Sequence, residues 1–238
     1  PGVWLAITSI SFDISVLELL WTLSNGYKLI IAKPVITPKN KTQFSTKSSK
    51  KIDFSLFYFA SDEKKNTKNK YNLLIEGAKY ADKHDFKAVW TPERHFGTFG
   101  GLYPNSAITS AAIATITDQI QIRSGSCVLP LHNPIRVAED WSVIDNLSNG
   151  RVGLSFATGW QPDDFVLAPN AFDDRKQVLY SHLETIKRLW AGDGINLLNG
   201  KTEEVLVKIL PQPIQSELPI WLTAAGNPET FRKAGEIG

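Results

Sequence analysis

Trp90-Thr-Pro-Glu-Arg-His-Phe96, Ser124-Gly-Ser-Cys-Val-Leu-Pro130 and Gly153-Leu-Ser-Phe-Ala-Thr-Gly-Trp160 lie about thirty residues apart, and each runs out of strand-like sequence into small, polar or ionisable residues. That rhythm predicts a repeat of strand and helix whose strand ends converge on one face. In a βα barrel this face gathers the loops and carries the active site, so chemistry is expected at these three ends.

The repeat extends in both directions. Ile52 to Ala60 reads as a first barrel strand, apolar almost throughout, as a strand covered on both faces should be. Asn72 to His84 follows as a helix with Leu74, Ala78 and Ala81 at helical spacing, and Phe86 to Thr91 is the second strand. A helix capped by Asn105 starts at Ser106 and sets Ile108, Ala111, Ala112 and Thr115 on one side, before a third strand from Ile120 to Val128. Asn133 caps the next helix with Pro134 at its first position, where a missing amide hydrogen is harmless. Val137, Trp141 and Ile144 form its buried stripe and Asn149-Gly150 stops it; the fourth strand is Arg151 to Thr158.

A long amphipathic helix, Arg175 to Trp190, carries Leu179, Leu183, Ile186 and Trp190 on one face. Ile195 to Ile209 breaks the pattern with two short β-like runs around Asn199-Gly200, a hairpin signal. Pro219 to Ala224 is the fifth strand, and Gly226 to Thr230 opens another helix. Strict alternation of strands and helices predicts an α/β fold with a parallel sheet, a TIM (β/α)8-type barrel truncated after about five or six strands.

Ahead of the barrel, Val3 to Thr8 is strand-like, Ser15 with Glu18 makes a capping box for a helix that ends at Asn25-Gly26, and Tyr27 to Ala32 is β-rich. Residues 1–33 thus form a short βαβ piece. Residues 34–50 are rich in Lys, Thr, Ser and Asn and read as a linker, and residues 51–238 form the second domain. The chain starts at Pro1, contains no methionine and stops within a helical pattern, as an internal fragment of a longer protein would.

The net charge of +2 comes from lysines concentrated between Lys33 and Lys51 and between Lys64 and Lys70, polar stretches that suit a solvated loop better than a nucleic-acid surface. The single Cys127 cannot form an internal disulfide, and no secretory leader precedes the domain, so a cytoplasmic protein is expected. Val3 to Leu23 carries Asp13 and Glu18 and would not sit in lipid.

Glu93, Arg94 and His95 form a charged triplet at the second strand's end, where they could bind an anion, protonate an intermediate or pair with one another. A guanidinium stays charged, whereas an imidazole can gain or lose a proton near neutrality, so His95 is the better proton-handling candidate. His84, His132 and His182 rank below it. No HExxH pair and no carboxylates at ligand spacing occur, so no metal is expected. Ser124 to Cys127 is small enough for a flat ring to approach its backbone, or for a tight barrel layer. Gly226 to Thr230, with Asn227 as cap and Pro228 next, is either a helix start offering free amides to an anion or an ordinary capped helix. GxGxxG and P-loop patterns are absent.

Val89-Trp-Thr-Pro-Glu-Arg-His-Phe-Gly97, Cys127-Val-Leu-Pro-Leu-His-Asn-Pro134, Glu139-Asp140, Asn149-Gly-Arg151, Thr158-Gly-Trp-Gln161 and Pro219-Ile-Trp-Leu-Thr-Ala-Ala-Gly-Asn-Pro228 give the second domain a resemblance to the bacterial luciferase-like flavin monooxygenases. The likeness is strongest to the luciferase-like domains embedded in nonribosomal peptide and polyketide assembly lines. It implies a TIM barrel with reduced FMN at its mouth: Gly125 and Ser126 along the ring, Thr158 at the flavin-side end of the fourth strand, and Gly226, Asn227 and Thr230 at the phosphate-side turn. The luciferases proper carry Glu-His-His where this chain has Glu93-Arg94-His95, so light emission is not expected and proton handling falls to His95, with Glu93 and Arg94 beside it.

Thr8-Ser-Ile-Ser-Phe-Asp-Ile-Ser-Val-Leu-Glu18 resembles a core motif of amino-acid adenylation domains, which implies that Asp13 holds a substrate amino group and that Ile14 and Leu17 line a side-chain pocket. Together the two resemblances imply an FMNH2- and O2-dependent monooxygenase in a peptide synthetase. Its substrate would be a small molecule or a carrier-tethered group, and its partners a flavin reductase and other synthetase domains. A deazaflavin (coenzyme F420)-dependent oxidoreductase and a noncatalytic spacer are the alternatives, and the fragment by itself is expected to bind FMN weakly if at all.

Overall fold

A computed structural model of the chain describes residues 3–6, 28–31, 53–62, 68–224 and 226–237. They belong to two units, residues 1–50 and 51–238. In the first unit, β1 (Val3–Ala6) and β2 (Lys28–Ile31) pair in parallel, Val3 opposite Lys28 and Ala6 opposite Ile31. The helix expected between them, the motif carrying Asp13, Ile14 and Leu17, and the linker 34–50 lie outside the described residues.

The second unit alternates as its apolar periodicity requires. In chain order come β3 (Ser55–Phe57), α1 (Asn72–Lys83), β4 (Ala88–Thr91), α2 (Ser106–Ala114), β5 (Gln121–Val128), α3 (Pro134–Ser148), β6 (Val152–Ala157) and α4 (Arg175–Trp190). The hairpin β7 (Ile195–Leu198) and β8 (Glu204–Val207), then β9 (Ile220–Leu222) and α5 (Pro228–Ile237), complete it. One five-stranded parallel sheet has the order β3-β4-β5-β6-β9. Each strand lies beside its successor in the repeat, with no reversal of order, which is the wall of a βα barrel rather than a doubly wound sheet. The β7–β8 hairpin pairs with itself, antiparallel, as the Asn199-Gly200 signal predicts.

Packing follows the two periods. Val89, Ile122, Leu154 and Phe156 turn one face of the sheet toward the helices, and all four are fully buried. Ala78 and Ala81 of α1, Trp141 and Ile144 of α3 and Leu183 and Ile186 of α4 meet them in a single core. Truncating a side chain such as Trp141 there costs about 3–5 kcal/mol. The caps sit where the sequence puts them: Asn133 Oδ1 accepts from the Ile135 amide, and Asn149 ends α3 in the left-handed conformation at φ 55°. No helix among the described residues is long and apolar enough to cross a membrane.

Two expectations need correction. The first strand stops well short of Ala60, because beyond Tyr58, whose amide still donates to the Trp90 carbonyl, the chain leaves its neighbour. Ser61 bridges Phe99, and the Ala60 carbonyl accepts from the Gly100 amide, so the backbone groups are satisfied by a loop instead of the sheet. The face of α2 is also reversed. Ile108 is 69% exposed, whereas Ser106, Thr109 and Ser110 are buried. Small hydroxylated residues let α2 approach the sheet closely, and their hydroxyls find partners in the helix and in β4: Thr109 Oγ1 donates to the Ser106 carbonyl and Ser110 Oγ lies 2.9 Å from Thr91 Oγ1.

Candidate active site

Parallel register builds the site. Thr91 at the end of β4 lies opposite Ser124 of β5, so the residues following each strand run side by side. Glu93, next but one after Thr91, reaches across to β5: its Oε2 accepts the Val128 amide at 2.9 Å. Its Oε1 lies 2.8 Å from His95 Nε2 and 2.7 Å from His132 Nε2. The Glu93 side chain is 1% exposed, against 8% for His95 and 25% for His132.

Burial alone would raise the Glu93 carboxyl, but the His132 and His95 hydrogen bonds, His132's charge and the Val128 amide outweigh it and hold the group below its ordinary range. His132 is raised: burial would lower it, and Glu93 prevails, with Asp140 adding to the effect. Cys127 is pushed well above the ordinary thiol range, by burial first and then by Glu93. Glu93, Cys127 and His132 bring donor atoms within 4.8 Å of one another. The carboxylate's lone pairs already receive three N–H donors, which argues against these residues as metal ligands.

Arg94 turns away from this network. Its guanidinium stacks over Phe99 at 5.6 Å and Trp160 at 5.5 Å, and its stem fills the space beside Gly100, where a Cβ would come within 2.6 Å of Arg94 Cγ. The triplet is therefore split between a hydrogen-bonded pair, Glu93 with His95, and a cation on an aromatic wall. A shallow cavity of about 310 Å³ lies against Arg94, His95 and Phe96. Asp164, in the turn after β6, is buried nearby and its carboxyl is raised, chiefly by burial and against the opposing charges of His95 and Arg94.

At the next strand ends, hydroxyls gather. Ser126 Oγ is hydrogen-bonded to Thr223 Oγ1 and lies 3.4 Å from Ser155 Oγ, and Ser155 Oγ is 2.8 Å from Thr223 Oγ1. Gly125 sits directly under the Phe57 ring, which stacks on Phe59 at 5.0 Å and on Trp90 at 6.3 Å. Deeper on the same face, Arg123 is held between Trp90 and Trp221, 5.0 and 4.5 Å from their ring centres. Thr158 follows β6 and is half-buried; Gly159, at φ 77°, lets Val128 and Phe165 close on the backbone beside it.

The turn at Gly226 is where the sequence predicts, with Gly226 at φ 83°. Its amides are less free than expected. Pro228 has none, the Glu229 amide donates to Asn227 Oδ1, and the Thr230 and Phe231 amides donate to the Asn227 carbonyl. Thr230 faces a cleft of about 540 Å³ that Lys176 of α4 and Lys233 of α5 also line.

Sequence reading missed His132, Ser155 and Thr223. Thr223 lies within the Pro219 to Pro228 stretch with no local signal that singles it out, and His132 ranks below His95 on local sequence. The register of β4 with β5 was the usable signal, since adjacent parallel strands that both end near a histidine bring those histidines together.

Residues 52–238 match the family of luciferase-like monooxygenases. The chain is 30% identical over 191 residues to the oxygenase component of a flavin-dependent trigonelline monooxygenase from Acinetobacter baylyi, covering 78% of this chain and 52% of that protein. It is 30% identical over 174 residues to an F420-dependent glucose-6-phosphate dehydrogenase from Amycolatopsis mediterranei, covering 69% and 51%. Its fold matches the oxygenating constituent of 3,6-diketocamphane monooxygenase from Pseudomonas putida, solved with FMN, with a TM-score of 0.66 at 18% identity over 78% of this chain and 55% of that one. The chain thus spans about half the length of the curated relatives it matches. With this barrel wall and the family match over residues 52–238, the chain belongs to the luciferase-like monooxygenases.

Proposed function

We propose that the chain carries the mouth of a flavin-dependent monooxygenase that places one oxygen atom from O2 into a carrier-tethered acyl or aminoacyl group during nonribosomal peptide or polyketide synthesis. The observation that carries this reading is the gathering, on one rim of one parallel sheet, of an ionised carboxylate bearing two imidazoles and a cluster of three hydroxyls.

The residues present fit the ring of FMN. Ser126, Ser155 and Thr223 can each donate or accept toward the polar edge of a ring, and Phe57 and Trp90, with planes only 15° apart, form an apolar floor behind Gly125. They fit its phosphate less closely, because Asn227 must leave its cap before the start of α5 can offer amides. Gly226 and Thr230 would support that end, with Thr158 beside the ring. When bound, reduced FMN supplies the electrons that activate O2.

The chain's own residues hold and shield. His95 exchanges a proton at Nδ1, the ring atom turned away from Glu93. Glu93 orients that imidazole. Arg94, stacked on Trp160, walls the site against water. The adenylation-like stretch Thr8 to Glu18 supports a synthetase setting, in which other synthetase domains deliver the substrate and a separate reductase delivers reduced flavin.

A second reading, hydride transfer with a deazaflavin, is favoured by the F420-dependent relative at 30% identity. Equilibrium titration of the chain in its native polypeptide with FMN, reduced FMN and F420 separates the two. Preferential binding of reduced FMN, with oxygenated product on mixing with O2, supports the first; preference for F420 supports the second. Retention of no flavin at all overturns both and leaves a noncatalytic spacer.

A further inference from the structure

The shared carboxylate has a consequence for the mouth. Glu93 is held ionised and can only accept hydrogen bonds, so both rings that contact its Oε1 must carry hydrogen on Nε2. Its other oxygen is taken by the Val128 amide, and at 1% exposure the side chain has no access to solvent as a substitute partner. His95 and His132 come from different strand ends, and the second is fixed by its own turn, where the His132 amide donates to the Leu129 carbonyl.

We propose that His132 is a positioning residue: by donating Nε2–H to the same Glu93 oxygen that receives His95, it holds that carboxylate in place and locks His95 in the tautomer that leaves Nδ1 free to face the mouth. The functional consequence, a proton accepted or released at His95 Nδ1 toward bound flavin or substrate, rests on the flavin reading above; the tautomer itself does not.

The charged neighbours leave the pair dominant. Asp140 of α3 acts on His132, the Cys127 thiol lies beside Glu93, and the charges of His95 and Arg94 act on Asp164 in the turn after β6. Glu93 remains the group hydrogen-bonded to both rings. His132 is also the most exposed of the three, which makes it the member that meets solvent.

The test uses the free chain, with its four histidines labelled with nitrogen-15, and long-range proton–nitrogen spectra that report which ring nitrogen is protonated. In spectra recorded in the alkaline range, above the raised folded value of His132 where that ring is neutral, the expected wild-type result is a pure Nε2–H pattern for both His95 and His132. His132→Gln, which keeps an N–H donor, preserves the His95 pattern, whereas His132→Leu shifts it to a mixture of both tautomers. Should the leucine variant fail to fold, His132→Asn, whose shorter amide withdraws from Glu93, is read in the same way. The signals of His84 and His182 serve as folding controls. A His95 pattern unchanged in the leucine or asparagine variant, or Nδ1–H on His95 in the wild type, overturns the proposal. FMN affinity measured on the same variants is a separate readout, and its absence with the tautomer locked as expected counts against the flavin reading alone.

Discussion

The Asp82 carboxylate lies 2.7 Å from the backbone nitrogen of Ile120, and it also receives the amides of Asp118 and Gln119 at 2.9 and 2.8 Å. One side chain near the end of α1 thereby caps the turn that leads into β5. It fixes where that strand begins, and so how far its other end reaches toward Glu93.

A first prediction concerns acid stability. Burial would raise the Asp82 carboxyl, but its three amide donors and the charge of Arg151 outweigh it, and the group is lowered. A group lowered on folding stabilises fully above its unfolded value, about 3.9, and loses that contribution as pH falls through the lower folded value. Asp82→Asn should therefore weaken the fold by roughly 1–2 kcal/mol at pH 7 and show a shallower loss of stability below about pH 4. Urea unfolding across pH 2.5–7 checks both, and an unaltered acid slope would refute the assignment.

The second concerns Arg151, the last residue of the Asn149-Gly-Arg151 motif. Nε donates to the Ser148 carbonyl, one terminal nitrogen to Thr117 Oγ1 and the Ile120 carbonyl, and the other to the Ala114 and Thr117 carbonyls. All five guanidinium hydrogens are used, at a site only 8% exposed. Lysine has three donors on one atom and cannot span these acceptors. Arg151→Lys should cost about 3 kcal/mol, a fall of roughly 6–12 °C in Tm, with the strand-end chemistry left in place. Differential scanning calorimetry reads it, and a shift under 2 °C would show that the network is redundant.

How much of this was legible in the sequence depends on distance along the chain. Asn105, Asn133, Pro134 and Asn149 act within one turn of themselves, and each sits where local chemistry places it. Ile52 to Ala60 has strand composition, yet its length is set by the loop at Phe99 and Gly100, about forty residues away. The apolar stripe of α2 is not its buried face because Thr109 and Ser110 find hydroxyl partners in the Ser106 carbonyl and Thr91 Oγ1, which lets a polar face pack inward. His132 looked idle for the same kind of reason, since its partner Glu93 is 39 residues earlier and adjacent only through the β4–β5 register. What sequence alone shows is the rhythm of strand ends; which side chains meet there is decided by pairing.

The third prediction is the alkaline counterpart of the first. His132 is raised by Glu93 against the lowering effect of burial. A histidine raised on folding stabilises fully below its unfolded value, about 6.5, and loses that contribution as pH rises through the higher folded value. Stability should thus decline from near neutrality into the alkaline range in the wild type, and His132→Gln should flatten that decline. Unfolding midpoints at pH 6, 7.5 and 9 test it; parallel curves for the two proteins would rule it out.

A fourth follows from the contact between Gly125 and Phe57. A Cβ on Gly125 would lie 2.7 Å from Phe57 Cε2 and 3.1 Å from Trp90 Cβ, so Gly125→Ala must displace the ring that floors the mouth. Overpacking of this kind costs about 1–3 kcal/mol. Phe57→Leu in the same chain removes the clash, and the pair should be less destabilised than the sum of the singles by about 1 kcal/mol. Additive behaviour would place the strain elsewhere.

The last tests the hydroxyl cluster as the grip on the flavin ring. Ser126 and Ser155, on β5 and β6, and Thr223, directly after β9, bond one another, so removing one hydroxyl frees the other two to rearrange rather than leaving a buried orphan. Folding should change by less than about 1 kcal/mol on that account. Binding should suffer more, because a ring edge that had two or three preset partners then meets fewer. Ser126→Ala and Thr223→Val should each weaken FMN about 5- to 10-fold, and the double variant should fall short of the product of the two, as expected for groups that act as a unit. Quenching of tryptophan fluorescence during FMN titration provides the measurement, with Trp90 and Trp221 beneath the cluster as reporters. If both single variants bind FMN as the wild type does, the ring does not rest on these hydroxyls, and Thr158 and the Arg94–Trp160 wall become the surfaces to probe.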